Sequence, residues 1–278
     1  MPPLLLALGS GLAWGAADFL GGITAKRRPI LTVVLLSQLV GTAFIAGLVL
    51  LRGAPPPAPR TLLVALAGGT AGAIGLAALY RGLAVGRMGL VAPTAALSGA
   101  IPVAWGLVRG ERPSALQLAG ILVAIGGIVL AARTPDPEGE RTTAGLGLAA
   151  VAAVTIGLVG VALDEAGRTD PFYATLMVRV GALSLLVVAV LARRPTLRVG
   201  AVDGGRLALT GLLDNGANLA FAMAANRGGL LALNAVLGSL YPVTTALLAR
   251  FLLQERLSRV QTAGVLAALV GVALIAGG

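Results

Sequence analysis

The sequence predicts an all-α membrane protein whose ten transmembrane helices form two inverted five-helix repeats. Three observations carry this: a composition too apolar for a water-soluble globule, ten apolar runs of bilayer length, and an internal repeat relating the two halves. Of 278 residues 57% are hydrophobic and only 12% charged, with a mean hydropathy of +0.94. That leaves too little polar surface to coat a soluble body of this size. A formal charge of +10 would suggest nucleic acid in a soluble protein. Here the Lys and Arg residues are scattered singly and in pairs between apolar runs, where they flank membrane segments instead. The chain has no Cys and no His, which removes disulfides, thiolate metal sites, the commonest metal ligand and the usual general base. No metal or other cofactor is expected, and an enzyme is the least supported class because no nucleophile motif is present.

A spanning helix needs about 20 apolar residues. Such runs lie at 3–25, 30–51, 61–80, 88–108, 115–132, 143–163, 171–191, 205–225, 229–252 and 259–277. The first lacks a basic leader and an evident cleavage site, and reads as a retained helix rather than a signal peptide. The second ends at Arg52-Gly-Ala-Pro-Pro-Pro-Ala-Pro-Arg60, a connection rich in turn formers. Gly11/Gly15 in the first run, and Gly68/Gly72 and Gly82/Gly86 in and after the third, have the small-xxx-small spacing that lets helices approach closely in lipid. Pro93 and Pro102 in the fourth run and Pro242 in the ninth remove backbone donors and predict kinks that free carbonyls toward a cavity. Arg133-Thr-Pro-Asp-Pro-Glu-Gly-Glu-Arg141 follows the fifth run and divides the chain. The first repeat is therefore expected at 1–134 and the second at 142–278, with 135–141 as linker.

The halves share a signature. Gly110-Glu-Arg-Pro-Ser-Ala-Leu-Gln-Leu-Ala-Gly120 matches Gln254-Glu-Arg-Leu-Ser-Arg-Val-Gln-Thr-Ala-Gly264 in Glu, Arg, Ser, Gln, Ala and Gly. Pro102 aligns with Pro242, Pro29 with Pro171, Gly15 with Gly157 and Lys26 with Arg168, all at offsets of roughly 140 to 144 residues. A unit with an odd number of spans enters the membrane from opposite sides in its two copies, which is the inverted repeat of secondary transporters.

These features resemble the EamA-type drug/metabolite transporter superfamily: ten spans, Trp14-Gly15 in the first helix, the paired Glu-Arg-x-Ser-x-x-Gln-x-x-Gly and Ser239-Leu-Tyr-Pro242. The resemblance covers nearly the whole chain. It implies a bacterial inner-membrane carrier, often an exporter of amino acids, metabolites or toxic compounds, with a central cavity between the halves. It names no substrate.

Three charges fall inside membrane runs, where each is expensive. Asp18 lies one turn beyond Trp14 on the same face of the first helix, Asp214 is near the middle of the eighth, and Arg179 is near mid-depth in the seventh, aligned by the repeat with Ser37-Gln38. Two readings join them. In one, Asp18 and Asp214 flank a wet cavity, one of them exchanges protons, and Arg179 serves as counter-ion or grips a substrate carboxylate. In the other, Arg179 neutralises an Asp in a buried structural pair, or Asp18 reaches the interface through local water. Asn215, Asn218, Asn234 and Ser98, with Thr94, offer hydrogen bonds either to a polar solute or between helices. Trp14, Tyr80 and Tyr241, with Trp105, offer cavity walls or interfacial anchors. Glu111-Arg112 and Glu255-Arg256 stand at turns, where local pairing or capping accounts for them.

The expected function is alternating-access transport, in the direction of export, of a small metabolite or amino-acid-like solute, with protons as coupling ion in the first reading. A multidrug or cationic-compound exporter, with Asp18 and Asp214 as the cation site, is the rival within transport, and a non-transporting membrane subunit or lipid-handling partner is the rival outside it. The expected partners are a small-molecule substrate and the bilayer, in a monomer or homodimer, without nucleic acid. Roughly 14 Lys and Arg lie on the odd-numbered connections and roughly 6 on the even ones, which by the positive-inside rule puts both termini outside. The resemblance favours cytoplasmic termini, and orientation stays open at this point.

Overall fold

The computed structural model describes residues 2–85, 91, 94–133, 145–254 and 257–278. Pro93, Gly86, the 135–141 linker and Glu255-Arg256 lie outside the described residues, as does the side chain of Tyr80.

Ten helical segments are described: α1 (Pro3–Ala25), α2 (Ile30–Arg52), α3 (Pro59–Val85), α4 (Thr94–Val108), α5 (Ala115–Ala131), α6 (Leu146–Gly167), α7 (Pro171–Arg193), α8 (Ala201–Asn226), α9 (Leu231–Leu252) and α10 (Arg259–Gly277). Seven are long and apolar enough to cross a membrane, and α4 and α5 are shorter apolar helices. The remaining one, α8, carries Asp203, Arg206, Asp214, Asn215 and Asn218. Large apolar side chains such as Leu50, Leu122, Val188 and Leu266 are exposed on the outside, which suits a surface solvated by acyl chains. The protein is a multi-pass membrane protein.

Helix ends follow local chemistry. Asp170 caps α7 by accepting from the backbone amides of Phe172 and Tyr173, with Pro171 at the first helical position. Ser114 and Gln117 form a reciprocal capping box at the start of α5, and Ser258 and Gln261 form the same box on α10. Two segments are interrupted. In α4 a 3₁₀ turn at Leu97–Gly99 precedes the α-helical part Ala100–Val108. In α9 the helix stops at Gly238 and restarts at Tyr241. Each break falls four residues before a proline of the repeat, Pro102 or Pro242, where the ring would collide with the carbonyl of Ser98 or Gly238. The ninth segment, expected as one continuous helix over 229–252, is therefore two.

Packing follows the pseudo-symmetry of the repeats. α1 packs along α8 and α3 along α6. α2 packs on α8 as α3 does on α7, and the equivalent pairs α2/α7 and α5/α10 pack on each other. At the α5/α10 crossing, a Cβ on Gly120 would sit 2.8 Å from the Gly271 carbonyl oxygen, and one on Gly264 would sit 2.7 Å from that of Gly127. The repeat aligns Gly120 with Gly264 and Gly127 with Gly271, so the two halves meet here through equivalent glycines. Ion pairs mark the two ends of the bundle. Arg28–Asp203 (2.8 Å) lies at the end holding the α1–α2 and α7–α8 connections, and Arg52–Asp170 (3.0 Å) at the end holding α2–α3 and α6–α7.

Candidate functional site

The polar residues of the membrane core gather where α1, α2, α7 and α8 meet. The approach is set by Gly41 and Gly211: a Cβ on Gly41 would lie 2.7 Å from the Gly211 carbonyl oxygen and would also run into the Asn215 amide. This crossing brings α2 close enough for Gln38 to reach between α7 and α8.

Arg179, buried on α7, is engaged on several sides. Its Nη1 lies 2.9 Å from Asp214 Oδ2 and donates to Gln38 Oε1 at 2.6 Å. Its Nε donates to Asn215 Oδ1 at 3.1 Å, and Nη2 donates to the Asp214 carbonyl at 3.4 Å. Gln38 Nε2 in turn donates to Asp214 Oδ2 at 3.3 Å, and Asn215 Nδ2 donates to the Gly211 carbonyl at 3.2 Å. The Arg179 side chain is 6% exposed and that of Asp214 25%. The guanidinium is thus sealed inside the network, while one edge of the carboxylate reaches solvent.

Asp18 differs. It is solvent-exposed although protein surrounds it densely, and it faces both Asp214 and Tyr241. Among the described residues no hydrogen bond or ion pair engages its carboxylate. One turn earlier, Trp14 Nε1 donates to Asn218 Oδ1 at 3.0 Å, and its ring leans on Phe221 at 5.7 Å between centroids. Since Trp14 meets Asn218 and Asp18 meets Asp214, α1 and α8 run antiparallel with both pairs in register. Tyr241, partly accessible just after the α9 break, lies beside Ser98, which is buried in the 3₁₀ turn of α4.

Asn234 stands apart from this group. It is fully buried near the start of α9, and neither end of its amide has a hydrogen-bond partner among the described residues. Pro102 is buried near Gly160, and Pro242 opens the second limb of α9.

Two further features had not been read as functional. Gln38 is one, although the alignment of Arg179 with Ser37-Gln38 was its signal: α2 and α7 cross at the pseudo-symmetry axis, so residues equivalent in sequence become neighbours in space. The other is a charged cluster where α4, α6 and α9 end or begin. Glu111 accepts from the backbone amides of Leu231 (2.6 Å) and Ala232 (2.9 Å), 120 and 121 residues away. The expected local role of Glu111 is thereby replaced by capping of a helix in the other repeat. Arg168 donates to Asp164 at 2.8 Å and lies 3.6 Å from Glu111, while Arg109 pairs with Glu165, which also accepts from Trp105 Nε1 at 3.2 Å. Burial works against the Arg168 charge, but hydrogen bonding to Asp164 and the nearby Glu111 and Glu165 carboxylates hold its pKa above the ordinary guanidinium value.

Among the described residues no group of three acidic side chains is placed to hold a metal ion. The model of the EamA-like transporter family matches twice, over residues 1–133 and 143–277. Among solved structures 29 chains match. One crystal structure superposes with a TM-score of 0.82 over 99% of this chain and 98% of its own at 19% identity, a likeness of fold. No curated protein matches.

Proposed function

The chain belongs to the EamA-like transporter family, whose members are transporters, and from that premise we propose that it exports a small cationic solute in exchange for protons. The exchange runs by alternating access across a bacterial inner membrane. One observation carries the reading: Asp18 is an accessible carboxylate, unpaired among the described residues, beside an Asp214 whose charge Arg179 already balances. With all three groups ionised the site holds one net negative charge. A bare carboxylate at that depth is costly, and either a proton or a monovalent cation relieves it. Both loaded forms then cross, the empty form does not, and the proton gradient drives the solute outward. Arg179 does not serve a substrate carboxylate in this scheme, because Asp214, Gln38 and Asn215 occupy it and its side chain is 6% exposed.

The test is reconstitution in liposomes with currents recorded on a solid-supported membrane. Cations, zwitterions and anions of similar size are offered under a pH step. The wild-type protein is expected to give proton-linked currents with cations. Asp18→Asn is expected to fold, to elute as the wild type does, and to lose them. Undiminished exchange by that variant, or currents with anions alone, would sink the proposal.

A further inference from the structure

The charged cluster at the α4, α6 and α9 ends lies on the seam between the repeats, and most of its long contacts cross that seam, although Arg168 also donates to the Gly229 carbonyl at 3.4 Å within the second repeat. The first repeat supplies Trp105, Arg109 and Glu111. The second supplies Glu165, Arg168 and the amides at the start of α9. Asp164, 2% exposed, ties Arg168 from within its own repeat and so aims it at Glu111, whose side chain is 12% exposed. A recess of ≈ 290 Å³ is bounded by both groups of residues. The two halves therefore meet at this end through directional polar contacts around a partly hollow space, whereas α5 and α10 meet through close-packed glycines. Close-packed glycines suit a permanent joint. Hydrogen bonds around a hollow can be broken as a set and remade with water.

We infer that this cluster is a latch between the repeats: Glu111, seated on the first amides of α9, holds this end of the transport path shut, and its release opens the path there. The inference rests on the alternating-access reading above. Among the described residues of the cluster, Glu111 is the pin because it holds two backbone amides of the opposite repeat and meets Arg168 as well. Its carboxylate also sits at the positive end of the first limb of α9, the limb that ends at the break beside Tyr241. Movement of that limb is thereby linked to the wall of the central site.

The natural absence of cysteine makes the test direct. Asn234→Cys places a thiol one turn inside α9, at a fully buried position, where a maleimide reaches it only if this end opens. Adding Glu111→Gln removes a charge-assisted pair of bonds and is expected to raise the labelling rate on the order of tenfold. Conversely, oxidation of the pair Arg109→Cys and Glu165→Cys is expected to abolish exchange currents, and reduction to restore them. Currents in the reduced state establish that the protein is a working carrier, so a failed latch is distinguished from a failed transport reading. Labelling unchanged by Glu111→Gln, or an oxidised pair that transports at the reduced rate, overturns the latch. Should Glu111→Gln not fold, the cysteine pair decides alone.

Discussion

Arg179 and Asp214 are a pair whose two members are buried unequally, and that inequality makes their contribution measurable. Taking one partner from a buried pair leaves an uncompensated charge, at a cost of roughly 3–5 kcal/mol. Removing Asp214 would strand a guanidinium that is 6% exposed, whereas removing Arg179 strands a carboxylate that is 25% exposed and already touches solvent. Asp214→Leu is therefore expected to destabilise by about 3 kcal/mol or more, Arg179→Leu by clearly less, and the double variant by less than their sum. Urea unfolding in micelles reads all three, and equal losses from the two single variants would contradict the assignment. The charges themselves were legible, because an Asp or Arg inside an apolar run stands out. Which of them are paired was not, since pairing depends on helices far apart in sequence. Gln38 was harder still: a neutral amide in a helix gives no electrostatic alarm, and only the repeat alignment put it opposite Arg179.

At the level of elements, the duplicated signature resolves into separate mechanical parts. Ser114 with Gln117, and Ser258 with Gln261, start the fifth helix of each repeat by a capping box, and Gly120 and Gly264 let those two helices touch. Ser114→Ala is expected to cost about 1 kcal/mol through the lost cap. Gly41→Ala is expected to cost more, roughly 1–3 kcal/mol, because its methyl would enter the space of the Asn215 amide and the Gly211 carbonyl. That variant should also weaken exchange by pushing Gln38 away from Arg179, which combined stability and current measurements would show. A Gly41→Ala protein as stable as the wild type would mean that α2 and α8 do not cross as described. Most helices were legible from apolar length alone. The break in α9 was not, because the kink expected at Pro242 carries no sign that the helix stops at Gly238 and restarts at Tyr241. The helix α8 starts at Ala201, four residues before the apolar run expected from 205: Asp203 gives that stretch no apolar signal, yet it lies in the first helical turn and pairs with Arg28.

For the molecule as a whole, the two ends of the bundle differ in charge, and that difference bears on which way the latch faces. Lys26, Arg27, Arg28, Arg81, Arg133, Arg193, Arg194, Arg198, Arg206, Arg250 and Arg259 belong to the end with the α1–α2 and α7–α8 connections. Arg52, Arg60, Arg109, Arg112, Arg168 and Arg227 belong to the end with the latch. The latch end also holds Glu111, Glu165 and Asp170, but acidic residues contribute little to insertion, so these do not reverse the bias. The basic end is expected to face the cytoplasm, which puts both termini and the latch outside and makes the latched conformation one closed to the exterior. An exporter resting in that form presents Asp18 to the compartment from which it loads. Single cysteines at two exposed positions, Pro56→Cys at the latch end and Thr196→Cys at the basic end, report this in intact cells. An impermeant maleimide is expected to label the first at once and the second only after the membrane is opened. The reverse pattern would place the latch on the cytoplasmic side, and the sealed conformation would then load from outside.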